Sequence, residues 1–149
     1  MSKHESSTRR PVDCPCGGAA PHPSGAVKAP RFAACCGRYI DGGEPAPRAL
    51  ELMRSRYSAY VVGATDYLRA TWAPATCPPD LDVDLEAPDA PRWLGLQIKA
   101  FAETDPQHAM VEFVARYKVA GRAHRLHELS RFVRDDRGHW LYVDGDVRE

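Results

Sequence analysis

His108-Ala109-Met110-Val111-Glu112-Phe113-Val114-Ala115-Arg116-Tyr117-Lys118-Val119 is the stretch on which the fold turns. Val111, Phe113, Ala115 and Tyr117 fall on one side of an extended chain, and Met110, Glu112, Val114 and Arg116 on the other. That period of two belongs to a half-buried β-strand, with its apolar side against a core. Outward from it, residues 93–103, 125–134 and 139–143 carry the same kind of pattern. Gly121 and Asp135-Asp136-Arg137-Gly138 supply tight turns between the later strands, so strands two to four are expected to run as an antiparallel meander.

Ahead of the strands the period changes. Leu50, Met53, Tyr57 and Val61 recur at helical spacing in residues 47–61, flanked by Arg54 and Tyr60, and predict a helix buried along one stripe. Arg48, Glu51, Ser55 and Arg56 fall mostly off that stripe, and Arg56 is expected on a solvated face. Pro47 suits the first turn, Glu51 the positive end of the helix dipole, and Gly63 the stop. Residues 66–72 read as a shorter second helix ended by Pro74, and 74–91 as a Pro/Asp-rich connector. Helices followed by a meander give an α+β domain over residues 44–149, with the helices on one face of a curved antiparallel sheet.

Residues 1–12 read as a disordered leader and 13–43 as a separate segment in which Gly and Pro prevent regular structure. Within 13–43 stand Cys14, Cys16, Cys35 and Cys36, two tight pairs able to direct four sulfurs into one volume. Gly17, Gly18 and Gly37 permit the backbone such ligation needs, Lys28, Arg31 and Arg38 could offset thiolate charge, and His22 is a reserve ligand. Spacing alone leaves three readings open: metal ligation, reduced thiols and disulfides. Cys77, alone among prolines, reads as an incidental thiol.

The chain has 149 residues, with Lys plus Arg and Asp plus Glu both at 20. Zero formal charge argues against a dedicated nucleic-acid binder. With no long apolar run and a polar start, the expectation is a cytoplasmic protein without a membrane span, a setting in which grouped cysteines hold metal more often than they pair.

Cys14-Pro15-Cys16-Gly17 together with Cys35-Cys36-Gly37-Arg38-Tyr39 resembles the SEC-C zinc motif at the N-terminus of the YchJ-like (UPF0225) bacterial proteins. The resemblance continues through Leu52-Met53-Arg54-Ser55-Arg56-Tyr57, Asp66-Tyr67-Leu68, Thr71-Trp72, Val111-Glu112-Phe113, Leu126-His127-Glu128-Leu129-Ser130-Arg131-Phe132 and Trp140-Leu141-Tyr142-Val143-Asp144-Gly145. It implies an NTF2-like, cystatin-like cone and structural Zn²⁺ on Cys14, Cys16, Cys35 and Cys36. Two departures stand out. Gly18 replaces a serine and the loop between the pairs is longer, and Trp72-Ala73-Pro74 lacks the histidine of the usual Trp-His-Pro.

A cone of this kind often encloses a cavity. Its candidate lining residues are Arg54, Tyr57, Trp72, Glu112, Arg116, His127, Glu128 and Arg131, without a decision on which strand faces point inward. His127 with Glu128 or Glu112 could supply acid–base chemistry, but scattered polar residues assign no catalytic group. The expected function is a non-catalytic module that meets a protein partner through the zinc segment. The alternative is a small-molecule binding protein or enzyme, with that segment as lid or tether.

Overall fold

The period-two stretch is the second of four strands in a computed structural model that describes residues 10–18 and 29–148. The strands are β1 (Arg92–Asp105), β2 (His108–Val119), β3 (Arg122–Arg134) and β4 (Trp140–Arg148), antiparallel in the order β1-β2-β3-β4. Residues 1–9, His22 and Lys28 lie outside the described residues.

Val111, Phe113 and Ala115 are buried in the core, as the alternation predicts. Elsewhere bulges interrupt the alternation. In β1, register shifts between Trp93 and Gly95 and between Ile98 and Ala100 bring Trp93, Leu96, Ile98 and Phe101 against the core, a spacing no strict period two would give. In β4, Phe132 pairs with Tyr142 but Arg131 with Asp144, so Val143 is the extra residue. The bulge keeps Tyr142 on the core side and returns Asp144 and Asp146 to the outer side, where both bind Arg131. That cross-strand pairing carries β4 past residue 143, where the sequence pattern stopped.

Among the described residues, three helices precede the sheet: α1 (Gly37–Ile40), α2 (Ala49–Val62) and α3 (Thr65–Ala70), with a 3₁₀ turn at Phe32–Ala34. Helix α2 packs on β1, β2 and β4 and also touches α1 and α3. The one-stripe expectation fails here. Leu50 and Val61 are only half-buried, while every residue from Leu52 to Ala59 is buried. A helix apolar on one stripe has one neighbour; one buried all round has neighbours on all sides. The small residues Ser55, Ser58 and Ala59 admit those neighbours, Ser55 through a 2.7 Å hydrogen bond to the Tyr67 hydroxyl of α3. Gly63, at φ 75°, closes α2 in the left-handed conformation, and Ala64 N–H donates to Ala59 O at 2.8 Å.

The 13–43 segment also contains regular structure that its Gly and Pro content argued against. Asp13 and Arg31 form an antiparallel bridge, with Phe32 N–H donating to Val12 O at 2.9 Å and Cys14 N–H to Pro30 O at 2.8 Å. Cys14, Cys16, Phe32 and Cys36 belong to the same apolar core as Ala49, Leu52, Met53 and Tyr57.

Candidate functional site

The bridge between 12–14 and 30–32 brings the two cysteine pairs together. After Cys14, a turn closes through Gly17 N–H to Cys14 O at 3.1 Å, and Gly18 N–H donates to the Cys16 sulfur at 3.3 Å. Gly17 and Gly18 stand at φ 79° and 83°, which other residues rarely adopt. The second pair follows the 3₁₀ turn, with Cys36 at the start of α1.

The four sulfurs all lie within 4.8 Å of one another; Cys14 to Cys16 and Cys16 to Cys35 are each 3.6 Å. All four cysteines are unbridged in this arrangement. A tetrahedral ion at about 2.3 Å from each sulfur needs S···S edges of about 3.8 Å, within this range. Cys14, Cys16 and Cys36 are 1–3% exposed. Four soft donors in such a volume could hold one metal ion.

The thiols polarise one another. The Cys16 hydrogen bond, followed by those of Cys35 and Cys36, drives Cys14 far below the ordinary thiol range. At Cys35 the Cys14 bond raises the pKa, but those of Cys16 and Cys36 outweigh it, leaving about 7. Cys16 and Cys36 are pushed up, first by the hydrogen bond to Cys14. Cys14 and Cys35, inclined toward thiolate, suit a metal, which binds the deprotonated form; Cys16 and Cys36 would have to yield their protons to it. Beyond the cluster, Cys14 Sγ lies 3.7 Å from Ser58 Oγ on α2.

A cavity of about 280 Å³ lies between α2 and the core side of the sheet. Of the expected lining residues, Tyr57, Trp72 and Glu128 are there. Tyr60, Trp93, Phe113 and Tyr142 complete an aromatic wall, and Arg56 and Ser130 add polar groups. No described residue of the 13–43 segment lines it. Arg54 is buried elsewhere, with Nη1 lacking a partner. Glu112 and His127 meet each other on the outer side of the sheet, His127 Nε2 lying 2.7 Å from Glu112 Oε2. Arg116 is exposed, and Arg131 binds Asp144 and Asp146. His127 and Glu128 therefore occupy opposite faces, which rules out their joint acid–base action.

Arg56 is the residue whose place the sequence reading reversed. It is 3% exposed, donating from Nη1 to Leu68 O at 3.0 Å and Thr71 Oγ1 at 2.7 Å. Its guanidinium lies 4.8 Å from the Trp72 ring centre and 4.7 Å from that of Tyr142. Burial lowers its pKa, and among the described residues no carboxylate forms an ion pair with it. The Glu128 carboxylate accepts from Ser130 Oγ at 2.7 Å and from the Tyr142 hydroxyl at 2.9 Å, both at Oε2. Burial, then the Glu128 charge, pushes the Tyr142 phenol well above its ordinary range.

Known proteins place this arrangement in context. The family model described as YchJ, middle NTF2-like domain, matches residues 48–145. A UPF0225 protein of Cupriavidus metallidurans is 53% identical over 93% of this chain and 92% of its own length. One from Chromobacterium violaceum is 50% identical over 90% and 92% respectively. The solution structure of a SEC-C motif containing protein from Rhodopseudomonas palustris superposes with a TM-score of 0.73 at 26% identity, covering 92% of this chain and 99% of that one. The crystal structure of a SEC-C motif containing protein from Psychrobacter arcticus gives 0.70 at 30% identity, covering 92% and 83%.

Proposed function

The chain belongs to the UPF0225 (YchJ-like) family, and from that premise we propose that it is a zinc-stapled binding protein rather than an enzyme. Cys14, Cys16, Cys35 and Cys36 hold one structural Zn²⁺ as a SEC-C site. The observation that carries this is the set of four free sulfurs within 4.8 Å of one another, three of the cysteines buried. Four protein thiolates fill a tetrahedral shell, which leaves no position for substrate and fits a structural role. The ion fixes the 13–43 segment against α2, and the exposed rim of that segment meets a protein partner. Val12, just before the segment and 65% exposed beside the Arg10–Asp41 ion pair, is an apolar point flanking that rim.

Protein purified under reducing conditions without added zinc should carry one zinc per chain by elemental analysis. Cys35→Ser and Cys36→Ser should lose it. A metal content near zero, with no uptake on titration, overturns the proposal. For the partner, a photo-crosslinker at position 12 should capture one in the parent protein and not in Cys36→Ser. The cavity favours a second reading for the body, small-molecule binding, independent of the metal.

A further inference from the structure

We propose that the cavity beneath α2 binds a small, flat, uncharged ring compound that presents an N–H or O–H donor to Glu128. This deepens the small-molecule reading of the body and does not depend on the zinc centre. At protein-like packing density, 280 Å³ accommodates on the order of ten non-hydrogen atoms. That is one or two rings.

The walls select flatness. Trp93 meets Tyr57 edge-on at 5.7 Å and Tyr60 at 6.1 Å, so one corner of the cavity is aromatic on several sides. Across it, the Trp72 and Tyr142 rings already engage Arg56, leaving Trp93, Tyr57 and Phe113 to stack on a guest.

Charge selects neutrality. Arg56 and Glu128 are the charged side chains lining the cavity, and Tyr142 joins them, its ring 4.7 Å from the guanidinium and its hydroxyl 2.9 Å from the carboxylate. The two charges cancel within the cavity. A charged guest would bring an unbalanced charge into an apolar, half-closed space, which is costly.

Hydrogen bonding selects a donor. Arg56 gives Nη1 to the end of α3 and stacks against two rings, while the Glu128 carboxylate is engaged at one oxygen alone. Ser130 and Tyr142 both donate to Oε2, and no hydrogen bond from a described residue reaches Oε1. A carboxylate has acceptor sites on both oxygens, so Oε1 is the acceptor the cavity offers.

The experiment uses the full-length, zinc-loaded protein and ¹⁵N NMR of the three tryptophan indole N–H signals. Trp72 and Trp93 line the cavity and Trp140 does not, which makes it the internal control. The probes, at pH 8, are benzimidazole, which has a donor and an acceptor, 1-methylbenzimidazole, which lacks the donor, benzoate and benzylammonium. Benzimidazole should shift Trp72 and Trp93 saturably and leave Trp140 in place. The methylated probe and both ions should bind at least about tenfold more weakly, the loss expected for a charge-assisted hydrogen bond or an unbalanced charge. Glu128→Gln should weaken benzimidazole and strengthen benzoate, because Arg56 then lacks its counter-charge; a structural role for Glu128 would not reverse that preference. Ala115→Leu, which fills the cavity from β2, should abolish all shifts. Equal affinity for benzimidazole and its methyl derivative, tighter binding of either ion to the parent, or no binding at all overturns the proposal. Zinc content measured on the same sample separates such a failure from failure of the metal reading.

Discussion

Replacing Arg56 tests whether a buried cation without an acidic partner stabilises the fold by its charge or by its shape. Each of its two hydrogen bonds comes from a charged donor and is worth about 1.5–3 kcal/mol, and each ring contact roughly 0.5–2 kcal/mol. The gross gain is thus about 4–10 kcal/mol, opposed by several kcal/mol for removing a guanidinium from water. Loss of the side chain breaks no direct ion pair, and Glu128, the opposite charge in the same cavity, keeps its donors Ser130 and Tyr142. Thr71 Oγ1 still shares its one proton between Tyr67 O at 2.8 Å and, more weakly, Leu68 O at 3.4 Å. Arg56→Met, which keeps the packing, should therefore cost no more than about 1.5 kcal/mol. Arg56→Ala adds a cavity among Trp72, Tyr142 and α2 and should cost about 3–4 kcal/mol. In a domain of this size that is a fall in Tm of roughly 6–16 °C. Urea and thermal unfolding of zinc-loaded protein, followed by circular dichroism, measure both. Equal losses for Met and Ala would refute the reasoning, since the charge itself would then be the stabilising element.

Gly145→Ala drives a Cβ into Glu128 Oε2 and must dislodge the carboxylate from Ser130 and Tyr142. A stability loss of about 1–3 kcal/mol is expected, shrinking to a few tenths in a Glu128→Ala background when the two are combined in a double-mutant cycle. Gly37→Ala puts a Cβ 2.7 Å from Phe32 O and 3.0 Å from its ring, between the 3₁₀ turn and α1. It should weaken metal retention against a chelator as well as lower Tm, because Phe32 sits in the core beside the cysteines. Acidification should release the metal as protons compete for thiolate, so retention, measured by chelator competition, falls with falling pH. Asp135 accepts from the backbone N–H of His139 and of Arg137, which holds its carboxyl below the usual range. Its stabilising effect is present above the unfolded pKa of about 3.9 and is lost as pH falls through the folded value. The stability gap between Asp135→Asn and the parent, read from urea unfolding, should narrow as pH falls from the free carboxylate range through the lowered folded value.

The strand order was legible because a half-buried strand writes its period directly, as Val111, Phe113 and Ala115 do. The bulges were not. An extra residue at Val143 leaves no local mark, yet it decides that Tyr142 faces Glu128 while Asp144 and Asp146 face Arg131. The cysteine cluster was legible as two pairs, but spacing could not say that an Asp13–Arg31 bridge would join them. Arg56 was misplaced because charge outranks context in a one-stripe reading. Ser55, Ser58 and Ala59 carried the missing signal: small residues three and four apart permit a second close contact face on a helix.

That second face changes what the metal segment means for the body. Had α2 been buried on one stripe, the 13–43 segment could leave without exposing the core. Instead Cys14 contacts Ser58, and Cys16, Phe32 and Cys36 share a core with Leu52, Met53 and Tyr57. Met53 and Tyr57 also line the cavity on the other side of the same helix. If the proposed site holds a metal, its removal should therefore take support from the helix that roofs the cavity, rather than release a tether. Chelation should lower the Tm of the whole domain in one transition and weaken benzimidazole binding together with it. Two separate transitions, with the cavity's tryptophan signals unchanged through the first, would show that the two parts are held independently and that the shared core contributes little.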